Sequence, residues 1–276
     1  MTLAQYLAEL EQELVVAGEE AESLSFVYRA LNKLSFTDFV LKLQAEVSEE
    51  DREQLKAILE QLLAHKPAQY IIGSSDFHGL TLKVDERVLI PRPETEELVE
   101  LILSENLETP LSVLDIGTGS GAIALALANS RPDWQITASD LSSDALSLAA
   151  ENAQSCGLNL TFVQSDCLDA IQGKFDIIAS NPPYISEEDK DEVGLNVLAS
   201  EPHMALFAGE NGYAIYRKIA EQAGDYLTEK GKIYLEIGYK QGDGVVDLLK
   251  QFFPQKRIRV LKDQFGKDRM VAMDNG

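Results

Sequence analysis

Four consecutive residues of unlike chemistry, Asn181 to Tyr184, are where this sequence most strongly indicates a reaction. They follow an apolar run, residues 175–180, that predicts a buried strand. Pro182 and Pro183 donate no backbone hydrogen bond and hold φ at about −65°, so the neighbouring carbonyls are held rigidly and can accept from a ligand. Asn181 adds a side-chain acceptor and Tyr184 a flat ring, and together they suit a planar group that bears an NH2. The competing interpretation is a proline-rich turn that leaves a sheet.

A glycine-rich turn indicates a second site. The segment runs from Gly117 through Thr118, Gly119 and Ser120 to Gly121, between a predicted strand and a predicted helix. Glycines there let the backbone approach a ligand closely at the carboxyl edge of a sheet. The spacing is G-x-G-x-G, which differs from the dinucleotide-binding pattern G-x-G-x-x-G. A tight strand-to-helix connection without a ligand would use the same residues.

Three aspartates lie at the ends of predicted strands and bear on the identity of that ligand. Asp140 lies 23 residues after Gly117, where a carboxylate can accept two ribose hydroxyls, although it could also cap a helix. Asp166 follows the next strand and could accept from an adenine amine. Asp115 either orients the glycine turn, meets an amino group or forms a turn. Because clustered carboxylates repel a pyrophosphate but tolerate a sulfonium cation with an α-amino group, S-adenosylmethionine fits better than NAD.

These residues need a parallel sheet to bring them together, and the sequence from residue 111 onward predicts one. Apolar strands alternate with helices, which indicates an α/β fold whose sheet is covered on both faces. The predicted strands are 111–116, 134–139, 159–164, 174–180, 231–237 and two near 257–262 and 268–273. The predicted helices are about 120–129, 143–155, 213–226 and 243–252, after one that starts near Glu94. The last two strands form a hairpin, so one strand of the sheet must be antiparallel.

Residues 1–66 are predicted to form a separate helical bundle that serves in recognition or as a scaffold. Apolar residues recur there at helical spacing, at Leu3, Leu7, Leu10, Leu14, Leu24, Val27, Tyr28, Leu31, Phe36, Phe39, Val40, Leu43, Leu55, Ile58, Leu59, Leu62 and Leu63. Ser23, Ser35 and Ser48 are the expected N-caps, and Gly18 is an expected helix end.

A structured linker and a catalytic domain are expected to follow the bundle. In the linker, residues 67–90, the segment Tyr70 to Ile72 and the alternating Leu80, Leu82 and Val84 predict a short hairpin. The catalytic domain is predicted to comprise residues 91–276.

The composition of the chain limits the classes of molecule that it can bind. The chain has 276 residues, of which 45% are hydrophobic, and its formal charge is −22, with 46 acidic against 24 basic residues. Such a surface is poorly suited to nucleic acid, which must be met with Lys and Arg. The pattern shows neither a membrane span nor a secretory signal, so we expect a cytoplasmic protein, and a monomer. Two cysteines and three scattered histidines predict neither a disulfide framework nor a metal site.

The tetrapeptide Asn-Pro-Pro-Tyr resembles the signature of methyltransferases that modify a planar NH2 nitrogen. The whole chain is similar to the HemK/PrmC family of release-factor glutamine N5-methyltransferases, including the segment Pro-Arg-Pro-Glu-Thr-Glu at residues 91–96 and the region from Glu201 to Gly212. The resemblance implies a seven-stranded, doubly wound (Rossmann-like) methyltransferase domain that uses S-adenosylmethionine and leaves S-adenosylhomocysteine. It further implies that Thr95 lines the methionine end of the cofactor. Family members often carry an aromatic residue against adenine where this chain has Cys167.

The resemblance also implies the substrate, the glutamine of the Gly-Gly-Gln loop of class I peptide chain release factors, gripped partly by the helical domain. In the expected pose, the Asn181 side-chain oxygen and the Pro182 carbonyl accept the two amide hydrogens while Tyr184 packs beside the amide. Asn181 is assigned to both the catalytic and the cofactor site, whereas Pro182, Pro183 and Tyr184 are assigned to the catalytic site alone.

The residues alone do not distinguish a glutamine amide from a base amine. The alternatives are an N6-adenine methyltransferase acting on DNA or RNA, a methyltransferase of another protein glutamine, and a non-catalytic S-adenosylmethionine-binding protein. The acidic surface disfavours the nucleic-acid alternative. An intact acceptor tetrapeptide disfavours the non-catalytic one.

Overall fold

The computed structural model describes residues 1–106 and 109–276. The helices are α1 (Leu3–Ala17), α2 (Glu22–Leu31), α3 (Phe36–Lys42), α4 (Glu49–Leu63), α5 (Ala68–Ile72), α6 (Pro93–Glu105), α7 (Ala122–Ser130), α8 (Ser143–Cys156), α9 (Leu195–Ser200), α10 (His203–Leu206), α11 (Gly209–Gly212), α12 (Ala214–Gln222) and α13 (Gly242–Phe252). The strands are β1 (Ser74–Phe77), β2 (Leu80–Lys83), β3 (Ser112–Ile116), β4 (Gln135–Asp140), β5 (Thr161–Gln164), β6 (Phe175–Ser180), β7 (Leu227–Glu236), β8 (Arg257–Lys262) and β9 (Asp268–Asp274). Short 3-10 helices cover Glu187–Glu192 and Ala223–Asp225.

Two compact units are formed. One comprises Met1–Ser74 with Val193–Glu201, and the other comprises Ser75–Glu192 with Pro202–Gly276. None of the described helices is both long and apolar enough to cross a membrane.

The first unit is a helical bundle. Its core comprises buried apolar residues of α1, α2 and α4, as the helical spacing predicts. The helix α3 forms as predicted and Phe39 packs against this core, but no residue of α3 is fully buried and Phe36 is 71% exposed. The predicted helix signals Gly18, Ser35 and Ser48 are confirmed: Gly18 ends α1 with φ 82°, and both serines accept a backbone N–H as N-caps. Ser23 is not a cap, because the chain is already helical at the preceding positions and α2 starts one residue earlier.

The second strand of the predicted hairpin is confirmed as β2, but the first strand lies one segment later than predicted. Tyr70 to Ile72 lies in the short helix α5, which begins after Pro67 and ends at Gly73 with φ 80°. The hairpin is instead made by β1 and β2. Three consecutive apolar residues are too few to distinguish a strand from one helical turn, and the proline and glycine that flank them suit both.

A seven-stranded sheet organises the second unit, in the order β5-β4-β3-β6-β7-β9-β8. The first five of these strands run parallel, and β9 is antiparallel to both β7 and β8, as the predicted hairpin requires. The chain runs outward from β3 to β5 and then returns to the other side of β3 with β6. The crevice beside the carboxyl ends of β3 and β6 is therefore the switch point at which α/β sheets bind ligands.

Both faces of this sheet are buried. Along β6, Ile177 and Ala179 belong to one apolar core with α6 and α7, whereas Ile178 belongs to another with α12 and α13. This alternation explains why the strand is apolar throughout. The pairing of β6 with β7 has an irregularity near its start, since Phe175 is opposite Leu227 but Ile177 is opposite Lys232. From there the register is regular to the carboxyl end.

Candidate active site

Strand register brings the two predicted motifs together. Ile116 of β3 pairs with Ser180 of β6, so the glycine turn and the Asn-Pro-Pro-Tyr segment leave adjacent strands at the same edge. Both enclose one cavity. The expected site residues that line it are Thr95, Gly117, Thr118, Gly119, Ser120, Asp140, Asp166, Cys167, Asn181, Pro182 and Pro183. Asp115, Gly121 and Tyr184 do not line it.

The glycine turn has the conformation that its residues predict. Gly117 and Gly119 have φ values of 71° and 55°, which disfavour residues with a Cβ. Gly121, with φ 86°, begins α7 beneath the turn, where an added Cβ would lie 3.0 Å from Leu125 Cδ1. The backbone conformation therefore favours glycine at all three positions, and at Gly121 the close packing against Leu125 favours it as well.

Asp115 supports this turn from below. Its carboxyl is fully buried, and Oδ2 accepts from the Thr118 hydroxyl at 2.6 Å. Burial raises the pKa of Asp115 to about 7, against the opposing effect of the Thr118 hydrogen bond. Of the three roles that the sequence leaves open, orientation of the turn is the one this contact supports.

Asp140 lies at the end of β4 and joins the turn to the next helix. Its Oδ2 accepts from Gly119 N and its Oδ1 from Ser142 N, each at 2.9 Å. Ser142, not Asp140, is the N-cap of α8, so the helix-cap interpretation is wrong. Burial raises the pKa of Asp140, while the backbone hydrogen bonds lower it. Each carboxylate oxygen has a second lone pair that can accept from a ligand hydroxyl.

Asp166 and Cys167 contribute the neighbouring part of the wall. Lys218 Nζ lies 2.8 Å from Asp166 Oδ2, an ion pair that the sequence does not indicate. Cys167 is buried in a left-handed conformation, with φ 52°, and burial raises the pKa of its thiol to about 12. The thiol is therefore neutral and offers a small apolar surface. Leu141, which follows Asp140 and is 52% exposed, adds a larger one to the same cavity.

Asn181 is held by a chain of hydrogen bonds to a buried carboxylate. Its Nδ2 donates to Thr95 Oγ1 at 3.0 Å, and the Thr95 hydroxyl donates to Glu236 Oε2 at 2.6 Å. Thr95 and Glu236 are 4% and 2% exposed. Because Ser180 pairs with Leu235, Asn181 and Glu236 leave adjacent strands at the same level.

Tyr184 is anchored outside the cavity. Its carbonyl accepts from Gln241 Nε2 at 3.0 Å, and Gln241 also accepts from Gly238 N at 3.0 Å. A Cβ added to Gly212 would lie 2.2 Å from the same carbonyl, so only glycine fits there. Burial raises the pKa of the half-buried Tyr184 to about 12. The expected packing of its ring beside a substrate amide stays a prediction.

Sequence reasoning missed Glu236, Gln241 and Lys218. A weak signal existed only for Glu236, the one acidic residue in the apolar run from Ile233 to Ile237. A carboxylate at the end of a strand buried on both faces must have a partner. Within the described part of the chain, no group of His, Cys, Asp and Glu could hold a metal ion.

Comparisons with known proteins find relatives over the whole length of this chain. Residues 98–210 match the family described as Methyltransferase small domain, and residues 5–73 match the PrmC N-terminal domain. The chain is 66% identical to the release factor glutamine methyltransferase of Streptococcus pneumoniae, over 100% of this chain and 99% of that protein. It is 50% identical to the Lactococcus lactis protein of the same name, over 92% and 94% of the two chains. A methyltransferase structure from Pyrococcus furiosus shares the fold, with a TM-score of 0.54 and 19% identity over 82% of this chain and 98% of that one.

Proposed function

The chain belongs to the family of release factor glutamine methyltransferases, and on that premise we propose that it methylates the side-chain amide nitrogen of a release-factor glutamine. The methyl donor is S-adenosylmethionine. The observation that carries the proposal is the orientation of the Asn181 amide, whose NH2 donates to Thr95 and whose oxygen is therefore directed away from that contact. Asn181 lines the cavity. A fixed acceptor at this place suits the N–H of a carboxamide.

The cavity fits the donor. The glycine turn allows close approach of a ligand to the backbone, and Asp140 presents a buried carboxylate to ribose hydroxyls. Asp166 can accept from the adenine amine through the oxygen that Lys218 does not hold. Leu141 and Cys167 follow these two carboxylates and supply apolar contact for the adenine ring in place of an aromatic residue.

The chain contributes to catalysis chiefly by positioning the substrate amide next to the methyl donor. Bound S-adenosylmethionine supplies a methyl group made electrophilic by its sulfonium sulfur. Asn181 Oδ1 and the Pro182 carbonyl accept the two N–H hydrogens of the glutamine amide, which aligns the nitrogen with the methyl group and stabilises positive charge that grows on it. The new N–C bond forms as the S–C bond breaks, S-adenosylhomocysteine remains, and the surplus proton leaves to water. No side chain is assigned as a general base.

The finer assignments belong to the same proposal. The substrate is the glutamine of the Gly-Gly-Gln loop in class I release factors. Residues 1–66 recognise the factor, residues 67–90 link the domains and residues 91–276 carry the reaction. We place the enzyme in the cytoplasm as a monomer that does not bind nucleic acid directly, since its formal charge of −22 opposes such binding.

A labelling experiment tests this function. The protein is incubated with methyl-labelled S-adenosylmethionine and, separately, with purified release factor, tRNA and DNA. We expect label in the release factor alone, and mass spectrometry of the digested factor should place it on the glutamine amide. The variant Asn181→Ala serves as the inactive control. Label in nucleic acid, or in the factor at another residue, would contradict the proposal.

A further inference from the structure

Glu236 is a buried acid to which the proposed reaction gives no role. It ends β7, is 2% exposed and contacts neither the glycine turn nor Asp140 through a hydrogen bond among the described residues. Its side chain instead accepts from Thr95 Oγ1 at 2.6 Å. The backbone around it is also fixed, because Tyr216 donates its hydroxyl to the Glu236 carbonyl at 2.8 Å. Burying a carboxylate costs free energy, so a buried carboxylate linked to the catalytic asparagine through Thr95 suggests a functional role.

The reason follows from counting hydrogens. A threonine hydroxyl has one hydrogen, and an ionised carboxylate can only accept, so Thr95 must give its hydrogen to Glu236. The Thr95 oxygen can then only accept from Asn181. Of the two ends of the Asn181 amide, only Nδ2 can donate, and it is the end that faces Thr95 at 3.0 Å. The amide oxygen is thereby turned away from Thr95.

A protonated Glu236 would permit the opposite arrangement. It could donate to Thr95, whose hydrogen would then be available to the Asn181 oxygen. The amide would turn over and present its NH2 to the substrate amide, where a donor meets a donor. Ionised Glu236 therefore enforces the accepting orientation of Asn181, whereas protonated Glu236 allows both orientations.

Resting on the proposed function, we propose that Glu236 is a positioning residue which, through Thr95, keeps the Asn181 amide with its oxygen toward the substrate nitrogen. The three residues are far apart in sequence but meet at one sheet edge. Glu236 acts through its neighbours and does not itself touch the reacting atoms.

The surroundings of Glu236 place its pKa near neutral pH. Burial raises its pKa to about 7, whereas Thr95 and the positive charge of Arg269 lower it. Glu94 opposes ionisation and Arg92 favours it, both from the start of α6. The Tyr184 and Tyr216 hydroxyls also face it, but burial raises the pKa of each above its usual value, so both stay neutral. The accepting orientation is thus enforced above about pH 7, and the alternative orientation becomes accessible as pH falls through that value.

Kinetics and spectroscopy together test this inference. The assay uses saturating S-adenosylmethionine, so that titration of Asp115 beneath the cofactor turn affects binding and not kcat. In the wild-type enzyme, kcat should then fall on the acid side with a midpoint near the Glu236 pKa, and in Glu236→Gln this limb should vanish between about pH 5.5 and 8.5. Thr95→Val should lower kcat by about 10- to 100-fold, whereas Thr95→Ser, which keeps the hydroxyl, should stay within about threefold of the wild type. Thermal melts establish that each variant is folded.

A second readout does not depend on activity. The Asn181 side-chain NH2 signals in an NMR spectrum, identified by their loss in Asn181→Ala, should shift with pH around the Glu236 pKa in the wild type and not in Glu236→Gln. An acid limb that persists in Glu236→Gln, equal kcat values for Thr95→Val and Thr95→Ser, or NH2 signals that ignore pH in the wild type would each overturn the inference. If the wild type labels no release factor while these signals still respond, the proposed function fails and the orientation by Glu236 stands.

Discussion

Replacing Asn181 with alanine separates chemistry from cofactor binding. The substitution removes the acceptor assigned to one of the two substrate N–H groups and leaves the Pro182 carbonyl in place. Loss of one such transition-state contact raises the barrier by about 2–4 kcal/mol, which lowers kcat by about 30- to 900-fold. The Thr95–Glu236 hydrogen bond at 2.6 Å does not involve Asn181 and should persist, so we expect little loss of stability.

Single-turnover methylation of the release factor measures the effect on chemistry, and calorimetry with S-adenosylmethionine measures the effect on binding. Asn275→Ala is the matched control, because Asn275 is exposed near the chain end and does not line the cavity. The cofactor dissociation constant should change by less than about threefold, since Asn181 turns its donor to Thr95. Near-wild-type turnover would refute the catalytic assignment. A parallel loss of cofactor binding would instead mean that Asn181 holds both ligands.

Three further predictions address the cofactor, the substrate and the buried acid. Asp140→Ala should weaken S-adenosylmethionine binding by about 1.5–3 kcal/mol for each ribose hydrogen bond lost, while the release-factor KM changes little; unchanged calorimetric affinity would leave Asp140 only a structural role. Phe36→Ser combined with Leu41→Ser, at side chains that are 71% and 68% exposed, should raise KM for the intact factor roughly tenfold and leave a short glutamine-loop peptide unaffected. Equal KM values on the intact factor would argue against recognition by α3. Burial raises the pKa of Glu236 from 4.5 to about 7 in the folded state. Its contribution to the free energy of unfolding is therefore fully present below pH 4.5 and is lost as pH rises to about 7. The loss amounts to about 3 kcal/mol. The difference in unfolding free energy between wild type and Glu236→Gln should follow that sign, and a pH-independent difference would contradict it.

The regular part of the fold is well predicted by the sequence because its signals are long and repeated. Apolar strands such as 174–180, bounded by turns, agree with the structure within one or two residues at their site-facing ends. The strand β7 starts four residues earlier than the pattern predicts, because Leu227 to Lys230 precede the regular register and include polar residues. Predictions for short segments fail for the opposite reason: the three apolar residues from Tyr70 to Ile72 cannot specify a strand when a proline and a glycine flank one helical turn.

The sequence predicts the motifs of the candidate site but not the hydrogen-bonded residues that hold those motifs in place. The glycine turn and the Asn-Pro-Pro-Tyr segment are contiguous in sequence, so residue types alone suggest their chemistry. Thr95, Asn181 and Glu236 meet only because α6 and two strand ends converge, and no local pattern carries that information. Phe36 and Val40 lie in a helix as predicted but are not buried, because periodicity identifies an apolar stripe but not whether another element covers it.

The irregular pairing at the start of β6 and β7 determines which segments of this enzyme can tolerate insertions or deletions. Between Leu227 and Lys232 the strand β7 absorbs extra residues before the regular ladder to β6 begins. Insertions or deletions at this amino end can be taken up without moving Asn181 relative to Glu236. A single residue gained or lost between Lys232 and Glu236 would turn the carboxylate to the other face of the sheet. Natural length variation among homologous enzymes should therefore cluster at the strand starts and stop where the ladder becomes regular.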